Sequence, residues 1–256
     1  MSTEPVTYDL VDGVATICLA NPDRRNVLDQ QVLQLLGQYA ARAGSDDSVR
    51  VIVLTSSGTA FCAGADLMTA ASGDAGSFAA DAAGHLADVL GTWLDVDKPI
   101  VARVQGPVAG GGNGLLAVCD VVVASAAASF AFREVRVGVA PAVIAVPLLS
   151  RLAPGVVRDL MLTGRTFDAN EALSTGLVHR VVLAEELDAA VAAVIADLLA
   201  GGPQAQSATK QLLRQLPGKS RDEAFDVAAR LSAARFASQE AQEGISAFKQ
   251  KRRPNW

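Results

Sequence analysis

Three short apolar segments in the first half of the chain constrain its fold more than any other feature. They read VRVIVLTSS, PIVARVQ and CDVVVAS, and each is typical of a strand buried on both faces. Helical patterns separate strands along this part of the chain, which indicates β-α-β units. The sequence therefore predicts an α/β fold built around a largely buried sheet.

The segments that flank these strands carry local signals of their own. VTYDLVDGVATICLA reads as a hairpin around the Asp-Gly dipeptide at residues 12–13, a pair that favours tight turns. Asp29 is expected to cap the following helix. Its apolar residues Leu33, Leu36 and Ala40 keep helical spacing, so they should form its buried face.

The second half of the chain is predicted to be almost entirely helical. From Ala142 onward a single short strand, LVHRVVL, interrupts the helical patterns, and the Gly-Gly-Pro at 201–203 breaks them again. The remaining stretch reads as two or three amphipathic helices. We predict a core domain over residues 1–200 and a helical region over residues 201–256.

Composition excludes several classes of protein. The 256-residue chain has a net charge of −5, which argues against a nucleic-acid partner. No apolar run approaches the ~20 residues of a membrane span, and the amino terminus lacks the apolar stretch of a secretory signal. The widely spaced Cys18, Cys62 and Cys119 favour a reducing cytoplasm, and Cys119 should be an inert buried thiol. His85 and His179 are too scattered to suggest a metal site.

Two glycine-containing loops are the strongest functional signal. GTAFCAGADL follows the first buried strand, and VAGGGNGLLAVCD follows the second. Small residues let a ligand approach the backbone, and the N–H groups at a helix start have no partner within the helix. Two such loops side by side could direct two N–H donors at one oxygen. This is an oxyanion hole, suited to a carbonyl that becomes an enolate.

Other interpretations of the same residues remain open at this level. Gly112–Ala117 fits a weak dinucleotide fingerprint with Glu134 about 20 residues later, although the preceding strand ends too early for the tight turn. The glycines could instead serve only close helix packing. Glu134 could be a surface acid paired with Arg133 or Arg136. The basic tail KQKRRP reads either as a solvated helix end or as a site for a phosphate group.

Taken together, these motifs resemble the crotonase family, the enoyl-CoA hydratase/isomerase superfamily, nearly from end to end. NPDRRNVLD resembles its CoA-binding loop, SSGTAFCAGADL and VQGPVAGGGNGLLAVCDVVVAS its two oxyanion loops, and FAFREVRVGVAP its catalytic-acid segment. LTGRTFDANEALSTGLVHRVV and EGISAFKQKRRPNW resemble the segments that follow. The resemblance implies a spiral of repeated ββα units, a C-terminal helical trimerisation region, and homotrimers or dimers of trimers.

The resemblance also implies roles for individual residues. Glu134 would be the general acid/base, and the backbone N–H groups of Ala65 and Gly111 would form the oxyanion hole. Residues expected to bind the substrate or its CoA moiety are Arg25, Ala63, Asp66, Leu67, Gly110 and Lys249. No cofactor is implied beyond the coenzyme A carried by the substrate.

One departure from the family pattern bears on the reaction. The two-carboxylate hydratases of the family carry a Glu where this chain has Gly114, and APAVIAVPLL replaces their glycine-rich PGAGGTQ near the acyl pocket. Hydration of a 2-enoyl-CoA is the leading expectation, because the resemblance is closest to hydratases that share the GGGxG pattern. The alternatives are a Δ3,Δ2-enoyl-CoA isomerase that uses Glu134 alone and a catalytically weak acyl-CoA-binding protein.

Overall fold

The computed structural model describes residues 4–66 and 75–256, with side chains of residues 75–81 left out of the description. Its strands are β1 (Val6–Val11), β2 (Val14–Leu19), β3 (Val51–Ser56), β4 (Ile100–Val104), β5 (Val108–Ala109), β6 (Val121–Ser125), β7 (Ser129–Ala131), β8 (Thr166–Asp168) and β9 (Arg180–Val182). Its helices are α1 (Gln30–Ser45), α2 (Ala75–Asp95), α3 (Gly111–Ala117), α4 (Ala142–Leu149), α5 (Pro154–Thr163), α6 (Ala169–Thr175), α7 (Leu187–Ala200), α8 (Pro203–Gln215), α9 (Arg221–Phe236) and α10 (Gln239–Gln250).

The strands form two sheets, and the larger one confirms the predicted architecture. Six strands lie in the order β1-β2-β3-β4-β6-β9, antiparallel between β1 and β2 and parallel elsewhere. The three apolar segments of the sequence became β3, β4 and β6, which are neighbours at the centre. A small sheet of β5, β7 and β8 stands beside them.

The predicted hairpin and helix cap are also confirmed. Asp12 and Gly13 both adopt positive φ, 49° and 78°, as a two-residue turn between antiparallel strands requires. The side chain of Asp29 accepts a hydrogen bond from the N–H of Val32 and so satisfies a free donor at the start of α1.

Helices cover both faces of the larger sheet. On one face α1 and α2 pack together, and the buried indole of Trp93 donates a hydrogen bond of 3.2 Å to the carbonyl of Leu36. On the other face Val51, Val101 and Val123, one from each central strand, pack against α7. Within the described residues no helix has both the length and the apolar character needed to cross a membrane.

The three C-terminal helices differ from the rest of the molecule. Helices α8 and α9 bury no residue, and Phe225, Phe236 and Phe248 are 69%, 73% and 85% exposed. Polar contacts attach α8 to the core, among them Lys210 Nζ with Asp120 Oδ2 at 2.7 Å. The proposed boundary at residue 200 coincides with the end of α7. A separate domain there stays a prediction.

The parallel centre of the sheet determines where a site can form. The carboxyl ends of β3, β4 and β6 lie at one edge, and the chain leaving each of them runs through a candidate motif. Residues 57–66 follow β3, residues 105–110 follow β4, and the 3-10 helix Arg133–Val137 comes after β6 and β7. Crevices at this edge are the usual ligand sites of parallel sheets.

Candidate active site

The structure brings the two glycine-containing loops and the Glu134 segment together around one cavity of about 480 Å³. The N–H of Ala109 donates to the carbonyl of Cys62 at 2.9 Å, which joins the two loops, and the N–H of Gly110 donates to the carbonyl of Ala131 at 3.0 Å. Predicted site residues that line the cavity are Arg25, Ala63, Ala65, Gly110 and Glu134.

Two backbone N–H groups in or beside the cavity lack a hydrogen-bond acceptor among the described residues. Gly111 is the first residue of α3, so its N–H has no acceptor within the helix, and no side chain caps it. Ala65 lies in an isolated bridge with Leu28, held by the hydrogen bond from the N–H of Leu28 to the carbonyl of Gly64 at 2.8 Å. In residues 4–66 and 75–256 the N–H groups of Ala65 and Gly111 form no hydrogen bond.

The Glu134 carboxylate lies against the backbone of Gly110. A methyl group on the Cα of Gly110 would stand 2.7 Å from Oε1 and 3.3 Å from Cδ of Glu134, so a side chain there would displace the carboxylate. Gly110 also has φ of 49°, a conformation that favours glycine. A carboxylate at this turn disfavours the dinucleotide interpretation, because a pyrophosphate would have to approach the same glycine turn.

The environment of Glu134 suits proton transfer. Its side chain is half-buried, and Oε2 is buried without a hydrogen-bond partner among the described residues. Burial raises the pKa of this carboxyl above its usual value, and a hydrogen bond to its own backbone opposes the shift. Arg133 donates instead to Thr166 and Arg136 to the carbonyl of Thr163, so neither forms the ion pair of the surface-acid alternative.

The position of the missing carboxylate is filled by apolar side chains. Gly114 is buried inside α3, and a methyl group on its Cα would lie 2.6 Å from Cγ2 of Ile144 and 3.3 Å from Cδ1 of Leu90. Ile144 belongs to α4, within the segment APAVIAVPLL that departs from the family pattern. The glycine at position 114 and the segment APAVIAVPLL, the two departures noted in the sequence, are therefore in contact in the structure.

The loop that carries Arg25 is fixed by a residue that sequence reasoning missed. Arg25 and Asn26 have φ of 53° and 55°, in the left-handed region. Asn26 is 1% exposed, and its Nδ2 donates to the carbonyls of Ser57 and Ala60, both at 2.9 Å. The carbonyl of Arg25 accepts the N–H of Ala63 at 3.0 Å. The tolerance of Asn for left-handed backbone was the available signal.

The remaining predicted residues lie elsewhere or cannot be placed. Asp66 is buried, and its Oδ2 accepts a hydrogen bond of 2.6 Å from Arg24. Gly111 adjoins the cavity without lining it, and Lys249 lies exposed in the last turn of α10, away from the cavity. Leu67 falls outside the described residues.

The prediction of an inert thiol at Cys119 is confirmed. The side chain is buried, its Sγ donates to the carbonyl of Leu115 at 3.1 Å, and burial raises its pKa to about 12. A thiol that stays protonated at neutral pH is a poor nucleophile.

Comparisons with known proteins identify the family to which this chain is similar. The family model for enoyl-CoA hydratase/isomerase matches residues 9–256. A Thermus thermophilus protein provisionally named as an enoyl-CoA hydratase is 34% identical over 95% of this chain and 97% of its own. The carnitinyl-CoA dehydratase of Proteus mirabilis is 33% identical over 95% of each chain.

Solved structures show the same relationship. The crystal structure of an enoyl-CoA hydratase from Mycobacterium smegmatis superimposes with a TM-score of 0.93 at 31% identity and covers 98% of each chain. The match spans the sheet, the site loops and the C-terminal helices alike. The chain is therefore a member of the enoyl-CoA hydratase/isomerase family and has the crotonase fold.

Proposed function

We propose that this protein catalyses the reversible hydration of a 2-enoyl-CoA thioester. Membership of the family establishes the general class of reaction, and the names of the relatives favour hydration or its reverse. The observation that carries the proposal is that the Glu134 carboxylate lies against Gly110. The next residue, Gly111, has a backbone N–H with no acceptor among the described residues.

The proposed mechanism runs through an enolate. The thioester oxygen accepts hydrogen bonds from the N–H groups of Ala65 and Gly111, which stabilise the charge that develops as a nucleophile adds to C3. Glu134, as a carboxylate, takes a proton from water while the water oxygen bonds to C3. The same proton, or its equivalent, then passes from Glu134 to C2, which completes the addition of H and OH.

Recognition of the substrate is assigned to the loops around the cavity. Arg25 would meet the CoA phosphates, because it is a cation at the cavity with its backbone fixed by Asn26. The other residues proposed to bind substrate are Ala63, Asp66, Leu67, Gly110 and Lys249. Since Asp66 is bonded to Arg24, we expect it to act by holding its loop. No cofactor is proposed beyond substrate CoA.

A second candidate function is Δ3,Δ2-enoyl-CoA isomerisation. The observation that favours it is the contact of Ile144 with Gly114, which leaves Glu134 as the acid/base and replaces a water-holding carboxylate with methyl groups. One carboxylate suffices to move a proton between C2 and C4 of the enolate, with no water required.

We also propose self-association through the C-terminal helices, as a trimer or a dimer of trimers. Phe225, Phe236 and Phe248 are large apolar side chains that a single chain leaves exposed. Sedimentation velocity of the purified protein should give a mass of three or six chains. A monomer at micromolar concentration would contradict this assignment.

An assay on three thioesters tests the reaction directly. Crotonyl-CoA and 3-methylglutaconyl-CoA report hydration, and 3-hexenoyl-CoA reports isomerisation. We expect turnover of at least one of the first two, identified by chromatography of the 3-hydroxyacyl product. Turnover of 3-hexenoyl-CoA alone would establish the isomerase. Binding of all three without turnover would establish the acyl-CoA-binding alternative.

The oxyanion role has a matched pair of variants. In both Gly111→Ala and Gly111→Pro the added Cβ would lie about 2.8 Å from Cδ1 of Leu28, the end of a flexible side chain. The two variants therefore share this contact, and only proline removes the N–H. Proline is tolerated at the first position of a helix. We expect kcat of Gly111→Pro to fall by roughly 10²–10³ relative to Gly111→Ala. Equal kcat values would remove this N–H from the mechanism.

A further inference from the structure

A half-buried arginine binds the end of α3 that lies opposite the proposed oxyanion donor. Arg151 follows α4, and its Nη1 donates to the carbonyls of Leu116, Ala117 and Cys119 at 2.9, 3.1 and 2.6 Å. The last carbonyls of a helix lack partners within it, and a cation there is favourable. One guanidinium therefore binds two carbonyls at the end of α3 and one just beyond it, and the Leu116 carbonyl also accepts the N–H of Cys119 at 3.1 Å.

The rest of the guanidinium is fixed from the other side. Nε of Arg151 donates to the carbonyl of Gly176 at 3.3 Å, and Nη2 lies 3.2 and 2.9 Å from the two ring nitrogens of His179. The Nδ1 of His179 accepts the N–H of Val122 at 2.8 Å, which ties the ring to β6. Burial, and next the charge of Arg151, lower the pKa of His179 to about 4, so the ring stays neutral near pH 7.

Helix α3 needs such a clamp. It has only 7 residues, GGNGLLA, and glycine disfavours helix formation. Its amino-terminal end is attached through the hydrogen bonds of Ala109 and Gly110, and Nδ2 of Asn113 in its first turn donates to the carbonyl of Ala131 at 2.9 Å. The direction of the helix axis beyond these bonds depends also on what holds its far end.

We propose that Arg151 is a positioning residue that orients α3 so that the N–H of Gly111 converges with the N–H of Ala65. The inference rests on the oxyanion role proposed above. The loop of Ala65 has an anchor outside α3, the hydrogen bond from the N–H of Leu28 to the carbonyl of Gly64. A displacement of α3 would therefore move the N–H of Gly111 more than that of Ala65 and change the separation and angle between the two donors.

The experiment compares two variants with a matched control. Arg151→Met removes the charge and the donors, whereas Arg151→Lys keeps the charge but cannot reach three carbonyls in a planar fork. The control is Arg50→Met. Arg50 is also partly buried, and its Nη2 donates to the carbonyl of Gly201 at 2.7 Å, at the end of α7 rather than α3.

The readout is the polarisation of a bound carbonyl. Acetyl-CoA has no double bond to hydrate, so isotope-edited infrared spectroscopy of carbonyl-¹³C acetyl-CoA reports the oxyanion hole without turnover. We expect a lowered carbonyl stretch in the wild-type complex, a smaller lowering with Arg151→Lys, and the smallest with Arg151→Met. The kcat should fall about 10- to 100-fold with KM little changed, as for a small misplacement of donors. Arg50→Met should match the wild type in both measurements.

The outcomes separate this inference from the proposed function. A wild-type carbonyl stretch equal to that of free acetyl-CoA would overturn the oxyanion hole and the role of Arg151 with it. A folded Arg151→Met or Arg151→Lys could instead lower the carbonyl stretching frequency as much as the wild type does and keep the wild-type kcat. That result would overturn the role of Arg151 alone. If both variants unfold while Arg50→Met folds, Arg151 serves the fold and the positioning role is rejected.

Discussion

Glu134 and Gly114 stand at the two positions where the resemblance to two-carboxylate hydratases of this family predicts glutamates, and their surroundings differ sharply. Glu134 lies in a 3-10 helix beside the cavity, half-buried, with its carboxylate against Gly110. Gly114 lies inside α3, fully buried, beneath Ile144 and Leu90. The first position is part of a polar site, whereas the second is part of the apolar core.

The difference shows how a close-packed interior accommodates a glycine. A helix position inside a close-packed interior cannot be left empty without forfeiting contacts, so a neighbour must fill the space. Here the neighbour is Ile144, from a separate helix, and it is 2% exposed. The change at Gly114 therefore cannot be reversed at Gly114 alone.

The largest expected effect comes from removing the remaining carboxylate. Glu134→Gln keeps the shape of the side chain but cannot shuttle a proton, so kcat on the hydrated thioester should fall by about 10²–10⁴. Binding of acetyl-CoA, measured as the increase in Tm at saturating ligand, should persist because it does not need proton transfer.

The control for this variant is Glu185→Gln. Glu185 also lies in a 3-10 helix, Ala184–Glu186, but it is exposed and outside the cavity. Its kcat should match the wild type. Wild-type turnover by Glu134→Gln would make Glu134 a structural acid and would end the mechanism proposed above.

The second prediction concerns restoring the absent carboxylate. Gly114→Glu forces a charged side chain against Ile144 and Leu90, so it should lower the free energy of unfolding by about 3 kcal/mol or more. Gly155→Glu is the control, because it is a helical glycine of α5 with nothing within 4 Å of the added carbon. Urea denaturation of both variants measures the difference. Similar stability of the two would mean that the space above Gly114 is not filled.

The third prediction, with a smaller expected effect, tests the contact between Gly114 and Ile144. Ile144→Ala should cost about 2–5 kcal/mol as a cavity. The double variant Gly114→Glu with Ile144→Ala should lose less free energy of unfolding than the sum of the two single losses, by on the order of 1–3 kcal/mol. The reason is that the smaller side chain at position 144 leaves space for the Glu at position 114. A double-mutant cycle by urea denaturation gives this coupling. Simple additivity would show that the two positions are independent. Hydration by the double variant should exceed hydration by Gly114→Glu.

The smallest expected effect is a pH dependence carried by Glu134. Burial raises the pKa of the folded carboxyl above 4.5, so the protonated form is favoured by folding. This contribution to stability is complete below the unfolded pKa and is lost as pH rises through the folded pKa. As pH rises from the unfolded to the folded pKa, the Tm of Glu134→Gln should therefore increase relative to the Tm of the wild type. The kcat/KM of the wild type should rise over the same window, as the base ionises. A constant difference in Tm would show that burial does not shift this group.

Local patterns in the sequence were sufficient for the central strands and for the loops that line the cavity, but they missed β8, since only one strand was predicted after Ala142. Apolar runs predicted β3, β4 and β6, the Asp-Gly pair predicted the hairpin turn, and Asp29 predicted the start of α1. These signals depend on neighbours within a few residues, where backbone conformation and capping are decided. The resemblance of five or more motifs in order then identified the family, and the roles that it implies for Glu134 and Gly114 stay predictions.

Tertiary structure alone decided the contacts between segments that are distant in the chain. Nothing near Gly114 in the sequence indicates that Ile144 fills its space, and nothing near α3 indicates that Arg151 holds its carbonyls. The same is true of the ion pair between Arg24 and Asp66. Such contacts depend on how helices pack against one sheet, and close packing fixes them only once every element is in place. The sequence by itself determined which loops form the site, and the packing of α4 and Arg151 around α3 determined its walls and support.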